Sequence, residues 1–158
     1  MTAPREPRTH RRAAGSARAM TGARHRAREL AFRIASEADV NGDGYAEVWA
    51  RLRDEEHLSD DQRELVDDVV AMLARDRPDI DRRIQEAAEH WPLGRLSATD
   101  RAVLRTAVAE LVARAGSPVP VVLDEAIELA KRFGSDESGR YVNGVLDRIA
   151  RELRPAER

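Results

Sequence analysis

Cysteine is absent from the chain, which excludes a disulfide framework and any thiolate metal site. Aromatic residues make up only 4% of the 158 residues, and the dominant Ala, Leu, Val, Ile, Arg and Glu favour helices over sheets. No apolar run approaches the roughly 18 residues of a membrane span, and the N-terminus has no apolar signal core. A cytoplasmic protein is expected. An Arg-rich, acid-poor leader also suits an organellar transit peptide, but here the basic stretch runs on into the first predicted helix. Lysine is nearly missing too: Lys131 is the only one, and arginine, whose planar fork suits phosphate, takes its place.

Charge is unevenly distributed. Residues 1–28 hold eight arginines and one acid, Glu6, for a net +7, whereas the rest holds 19 basic and 28 acidic residues, for a net −9. A basic arm on an acidic body can bind nucleic acid, since each Arg set on a phosphate releases condensed counterions. A merely solubilising arm fits the charge equally well. Residues 1–22 lack periodicity and have too little apolar surface to offset the entropy of ordering, so they are expected to be disordered when free.

From Arg24 a helical pattern begins, with Leu30, Ala31, Ile34, Ala35 and Ala38 on one arc and Phe32 off it, a sign of cover on a second side. Its basic first turn opposes the helix dipole, a cost that arriving phosphates would relieve. Asp39, Asn41, Asp43 and Gly44 imitate the start of an EF-hand loop. The twelfth position, which should be a bidentate Glu, is Ala50, so a Gly-rich turn is the expectation. A short helix over Tyr45–Leu52 follows. Ser59 and Gln62 form a capping box before a stripe of Leu65, Val66, Val69, Val70 and Leu73. Pro78 opens a further helix carrying Ile80, Ile84, Ala87 and Trp91, closed by Pro92. Ser97 to Asp100 cap a helix with Leu104, Ala107, Val108, Leu111 and Ala115 at regular spacing.

The last third predicts a helical hairpin. Leu123, Ala126, Ile127, Ala130 and Phe133 form one apolar stripe; Val142, Val145, Leu146, Ile149 and Leu153 form the other, and Gly134 starts the connector. The architecture expected is all-α, about seven helices with no strand.

Catalysis finds little support. His10, His25, His57 and His90 lack metal-ligand spacing, and no nucleophile elbow or P-loop occurs. Asp124 and Glu128 stand a turn apart, but Glu128 also precedes Arg132 by four residues, the orientation of an ordinary surface ion pair. No catalytic residue, metal or cofactor is assigned, and the chain is expected not to be an enzyme. Phe133 and Tyr141 flank the connector, where unpaired bases could stack; Phe133 fits a core stripe well, whereas Tyr141 precedes its stripe and suits partial exposure. Arg132 and Arg140 stand beside them and are expected to supply phosphate contacts to the same RNA.

The run LDEAIELAKRFG, followed after a short gap by RYVNGVLDRIA, resembles the C-terminal signature of the NusB family of transcription antitermination factors. The likeness extends from about Arg24 to about Leu153. It implies an all-helical, two-subdomain protein that binds boxA-type single-stranded RNA with the ribosomal protein NusE, within an RNA polymerase antitermination complex on ribosomal RNA operons. It implies RNA contacts from Arg24, His25, Arg26 and Arg28 at the start of the first helix, and from Phe133 and Tyr141. Asp100 and Glu137 match positions associated with NusE, and an acidic body suits a basic ribosomal protein. The organisation implied is an arm over 1–22, a helical domain over 23–154 divided near 76–78, and a tail over 155–158. Two departures stand out: Ala35 and Ser36 occur where the family often has a bulky residue such as tyrosine, and the arm is longer than usual. NusB-like modules also precede the catalytic domain of some ribosomal RNA cytosine methyltransferases, so a fragment of such an enzyme is the first alternative. A helical protein-interaction module without specific RNA binding is the second. A stripe facing the core and one facing a second copy look alike in sequence, so a homodimer stays open.

Overall fold

The computed structural model describes the backbone of residues 9–89 and 96–157, and side chains from residue 22 onward. Its helices are α1 (Thr9–Asn41), α2 (Tyr45–Arg53), α3 (Asp60–Ala88), α4 (Ala98–Ala113), α5 (Val119–Phe133) and α6 (Asp136–Leu153), followed by a 3-10 turn over Pro155–Glu157. No strand occurs among the described residues. No described helix is long and apolar enough to cross a membrane.

α1 begins at Thr9, inside the stretch expected to be disordered; residues 1–8 lie outside the described ones. Ala and Arg, which dominate residues 11–24, are strong helix formers, and a helix nucleated on the core propagates outward at little cost. Farther along, Ala27, Leu30, Ala31, Ile34, Ala35 and Ala38 are buried, and so is Phe32 on a second side. Gly42 ends the helix at φ 73°, donating its N–H to the Ala38 carbonyl. The Asp and Asn residues of the loop do not converge on a cation. Asp39 turns inward to Tyr45 and Arg105 while Asp43 pairs with Arg51, which is the behaviour of a turn. α2 docks through Trp49, whose indole donates to Asp67 at 2.7 Å.

The Ser59–Gln62 capping box starts α3, and the Gln62 side chain also donates to the Ala23 carbonyl of α1. α3 carries two of the expected helices in one, joined at Asp76 with φ −126° and ψ 26°. Pro78 accounts for the kink, since its ring cannot donate and crowds the carbonyl four residues back. Counting the halves of α3 separately gives the expected seven helices. Trp91 and Pro92 lie outside the described residues.

α4 is the central helix, packed against α1, α3, α5 and α6. The expected stripe understates it: every residue from Ala102 to Leu111 is buried, as befits a helix surrounded by others, while Ala115 falls beyond its end. Three of those residues are polar. Thr106 donates back to the Ala102 carbonyl, Arg105 binds Asp39 and Asp81, and Glu110 binds Arg28. Arg105 thereby ties α4 to the end of α1 and to the second half of α3.

α5 and α6 form the predicted hairpin, with Ser135 capping α6. A Cβ on Gly134 would lie 2.7 Å from the Ala130 carbonyl oxygen, so the turn requires glycine. After α6, Arg154 reaches back to the carbonyls of Leu111, Arg114 and Ser117 and finishes the C-terminus of α4. Residues 155–157 are tied in as well, with Glu157 accepting from the Val119 N–H at 3.2 Å.

Candidate nucleic-acid interface

Packing of the hairpin against α1 decides which candidate residues meet. Arg28 faces the interior: it is 7% exposed, and its Nε and Nη2 donate to the Glu110 carboxylate at 2.8–3.2 Å. Burial works against its charge, but the hydrogen bond and charge of Glu110, with Glu125 nearby, prevail and raise its pKa. Its guanidinium is therefore committed to an internal ion pair with Glu110. Position supplied a signal for this. Arg28 shares a helical face with Ala31 and Ala35, and Glu110 interrupts the apolar run of α4.

His25 is half-buried and pairs with Glu125 of α5. Glu128 stands close enough that ligand-type atoms of all three lie within 4.8 Å, a grouping absent from the sequence spacing. The hydrogen bond between His25 and Glu125 accounts for it. Arg26 is exposed and Arg24 half-buried, and neither has a carboxylate partner among the described residues.

The outer end of α5 carries a layered aromatic structure. Phe133 is 42% exposed rather than a core residue. It packs at 5.1 Å and 32° on Phe32, the α1 residue that fell off the apolar arc. Over the Phe133 ring lies the Arg132 guanidinium, 4.9 Å from the centroid. Arg132 pairs across to Glu29 of α1 at 3.1 Å, not along its own helix to Glu128 as its spacing suggested. Neither Phe32 nor Glu29 was legible as part of a site, because both contacts join elements about 100 residues apart.

On the other side of the connector, Tyr141 lines a cleft of about 290 Å³ with Leu96, Ser97, Asp100, Glu137 and Ser138. The two expected partner residues, Asp100 and Glu137, thus come together with an expected RNA residue. Asp100 sits in the first turn of α4, is 9% exposed and accepts from the Ser138 hydroxyl at 3.3 Å. Tyr141 is half-buried, its hydroxyl and the second Asp100 oxygen both lacking a hydrogen-bond partner among the described residues. Burial, then the Asp100 charge, raise the Tyr141 pKa, so the phenol stays protonated at neutral pH. Glu137 and Arg140 are exposed.

One end of the molecule therefore presents unpaired arginines from α1, a stacked aromatic from α5, and a polar acidic cleft between α4 and α6. Such a surface is equipped for binding: cations for phosphates, a ring for a base, and carboxylates for a basic partner. A sequence model of the NusB family matches residues 25–151. A transcription antitermination protein NusB from Sorangium cellulosum is 42% identical over 137 residues, covering 87% of this chain and 98% of that protein. One from Koribacter versatilis is 39% identical over 137 residues, covering 84% and 92%. Among solved structures, T. maritima NusB superposes with a TM-score of 0.78 at 36% identity, over 85% of this chain and 94% of that one. A chain from a crystal structure of the antitermination factors NusB and NusE in complex with dsRNA gives 0.74 at 26% identity, over 82% and 97%.

Proposed function

The chain belongs to the NusB family, and on that premise we propose that it is an RNA-binding antitermination factor. With NusE it captures single-stranded boxA-type RNA and joins the RNA polymerase antitermination complex that keeps ribosomal RNA operons transcribed. The observation that carries this reading is the meeting of the hairpin tip with α1. Phe133 rests on Phe32, and Arg132 on Glu29, one helical turn from the exposed Arg26. Phosphates fall to Arg24, Arg26 and Arg140; an unstacked base falls to Phe133, a contact of about 1–3 kcal/mol. Tyr141 serves the edge shared by RNA and partner. Asp100 and Glu137 offer carboxylates to basic NusE. The role is one of binding, and no bond is made or broken.

The test is fluorescence anisotropy of a labelled single-stranded boxA-type RNA against a scrambled RNA, with and without NusE, over a series of salt concentrations. Selective binding strengthened by NusE is expected, with a logarithmic salt slope of about −0.7 for each phosphate contacted. Equal, weak binding of both RNAs regardless of NusE would reduce the basic surface to nonspecific attraction. A salt-independent affinity would remove the arginines from the mechanism.

A further inference from the structure

The layered contact at the end of α5 has an unexpected outer layer. If a base is to stack on Phe133, it needs a free ring face. Phe32 packs on the ring at 5.1 Å with a 32° tilt, and the Arg132 guanidinium lies over it 4.9 Å from its centroid. Arg132 does not lie there unaided: Glu29 of α1 holds it at 3.1 Å, with the Glu29 side chain 24% exposed and the Arg132 side chain 53% exposed. The carboxylate occupies, relative to the guanidinium, the place that a phosphate oxygen would take.

We infer that Glu29 is a positioning residue that acts as an internal stand-in for phosphate, latching Arg132 over Phe133 until RNA arrives. The inference rests on the RNA-binding reading above. On binding, a backbone phosphate replaces the Glu29 carboxylate on Arg132, the guanidinium swings off the ring, and a base takes the uncovered face. An ion pair exposed on one side is weak enough for this exchange, because solvent and salt screen it. It is also selective. A lone anion offers Arg132 no more than Glu29 already does, whereas a nucleotide supplies both the phosphate and the base that compensates for leaving the ring. Phe32 keeps the inner face packed throughout, so the ring stays in place as its cover moves.

Binding of the boxA-type RNA to the full chain is compared for the wild type, Glu29→Gln, Arg132→Gln and the double variant at several salt concentrations. Glu29→Gln frees Arg132 and is expected to tighten binding about two- to fivefold at low salt. It should also steepen the salt slope by up to about 0.7, since Arg132 is no longer neutralised beforehand. In the Arg132→Gln background the same substitution should have almost no effect, which separates a latch from the general gain of removing an acid. Weaker or unchanged binding by Glu29→Gln overturns the latch, and so does an equal gain in both backgrounds. Absence of RNA binding by the wild type would instead overturn the RNA-binding reading itself.

Discussion

Arg28 and Arg132 lie on helices that touch, yet burial gives them opposite tasks. Arg28 shares a desolvated pair with Glu110, which is only 2% exposed, and removing one member leaves the other as an uncompensated buried charge. Arg28→Met is expected to lower unfolding free energy by about 3–5 kcal/mol. Arg28→Met combined with Glu110→Leu should recover most of that loss, because two apolar residues need no counter-charge. Urea denaturation of the three proteins, with an unchanged m-value, checks this. In sequence, Arg28 was indistinguishable from Arg24 and Arg26 by composition, since a run of basic residues says nothing about which of them faces a carboxylate 82 positions away. Phe133 shows the converse. It continues the spacing of Leu123, Ala126 and Ala130, but α5 ends there and the ring packs on the core's edge at Phe32 while staying exposed itself.

Among the helices, those with a one-sided apolar pattern were legible in full, whereas for the central one the cap and the stripe were legible but its burial on every side was not. The stripes of α5 and α6, the Ser59–Gln62 box and the turn at Gly42 follow from local spacing and local chemistry. The merging of two expected helices into α3 did not, because a proline ends one helix or kinks a longer one according to what packs around it. α4 is defined by its surroundings, and its ends need help from elsewhere. At its C-terminus Arg154 donates to the carbonyls of Leu111 and Arg114, and also to that of Ser117. Arg154→Ala withdraws a charged donor from three part-buried carbonyl contacts and is expected to cost about 1–3 kcal/mol. The RNA affinity of the folded variant should stay at the wild-type value, since Arg154 lies away from the hairpin tip. Thermal unfolding and anisotropy on the same sample check both halves of this expectation.

For the molecule as a whole, the kink at Asp76 divides α3 without dividing the core. The buried apolar residues from α1 through α6 form one continuous cluster, and α4 packs on both sides of the division. The two packed halves are therefore expected to unfold together, with far-ultraviolet circular dichroism and tryptophan fluorescence giving one coincident transition in urea. Two separated transitions would show that the halves have independent cores. Fold class was legible at this scale because a shortage of aromatics and a wealth of Ala, Leu and Arg point to helices. The functional surface was only partly legible, since it is assembled from the start of α1, the end of α5 and the cleft beside α4.

The Arg154 contact also bears on how the protein comes into being. A chain is made from its N-terminus, and the central helix emerges before the residue that completes it, 43 positions after Leu111, has been added. Until then the nascent helix keeps open carbonyls at one end, and the hairpin that covers its flank is still being synthesised. Vectorial growth thus leaves the C-terminus of the central helix open until Arg154 is added and closes it.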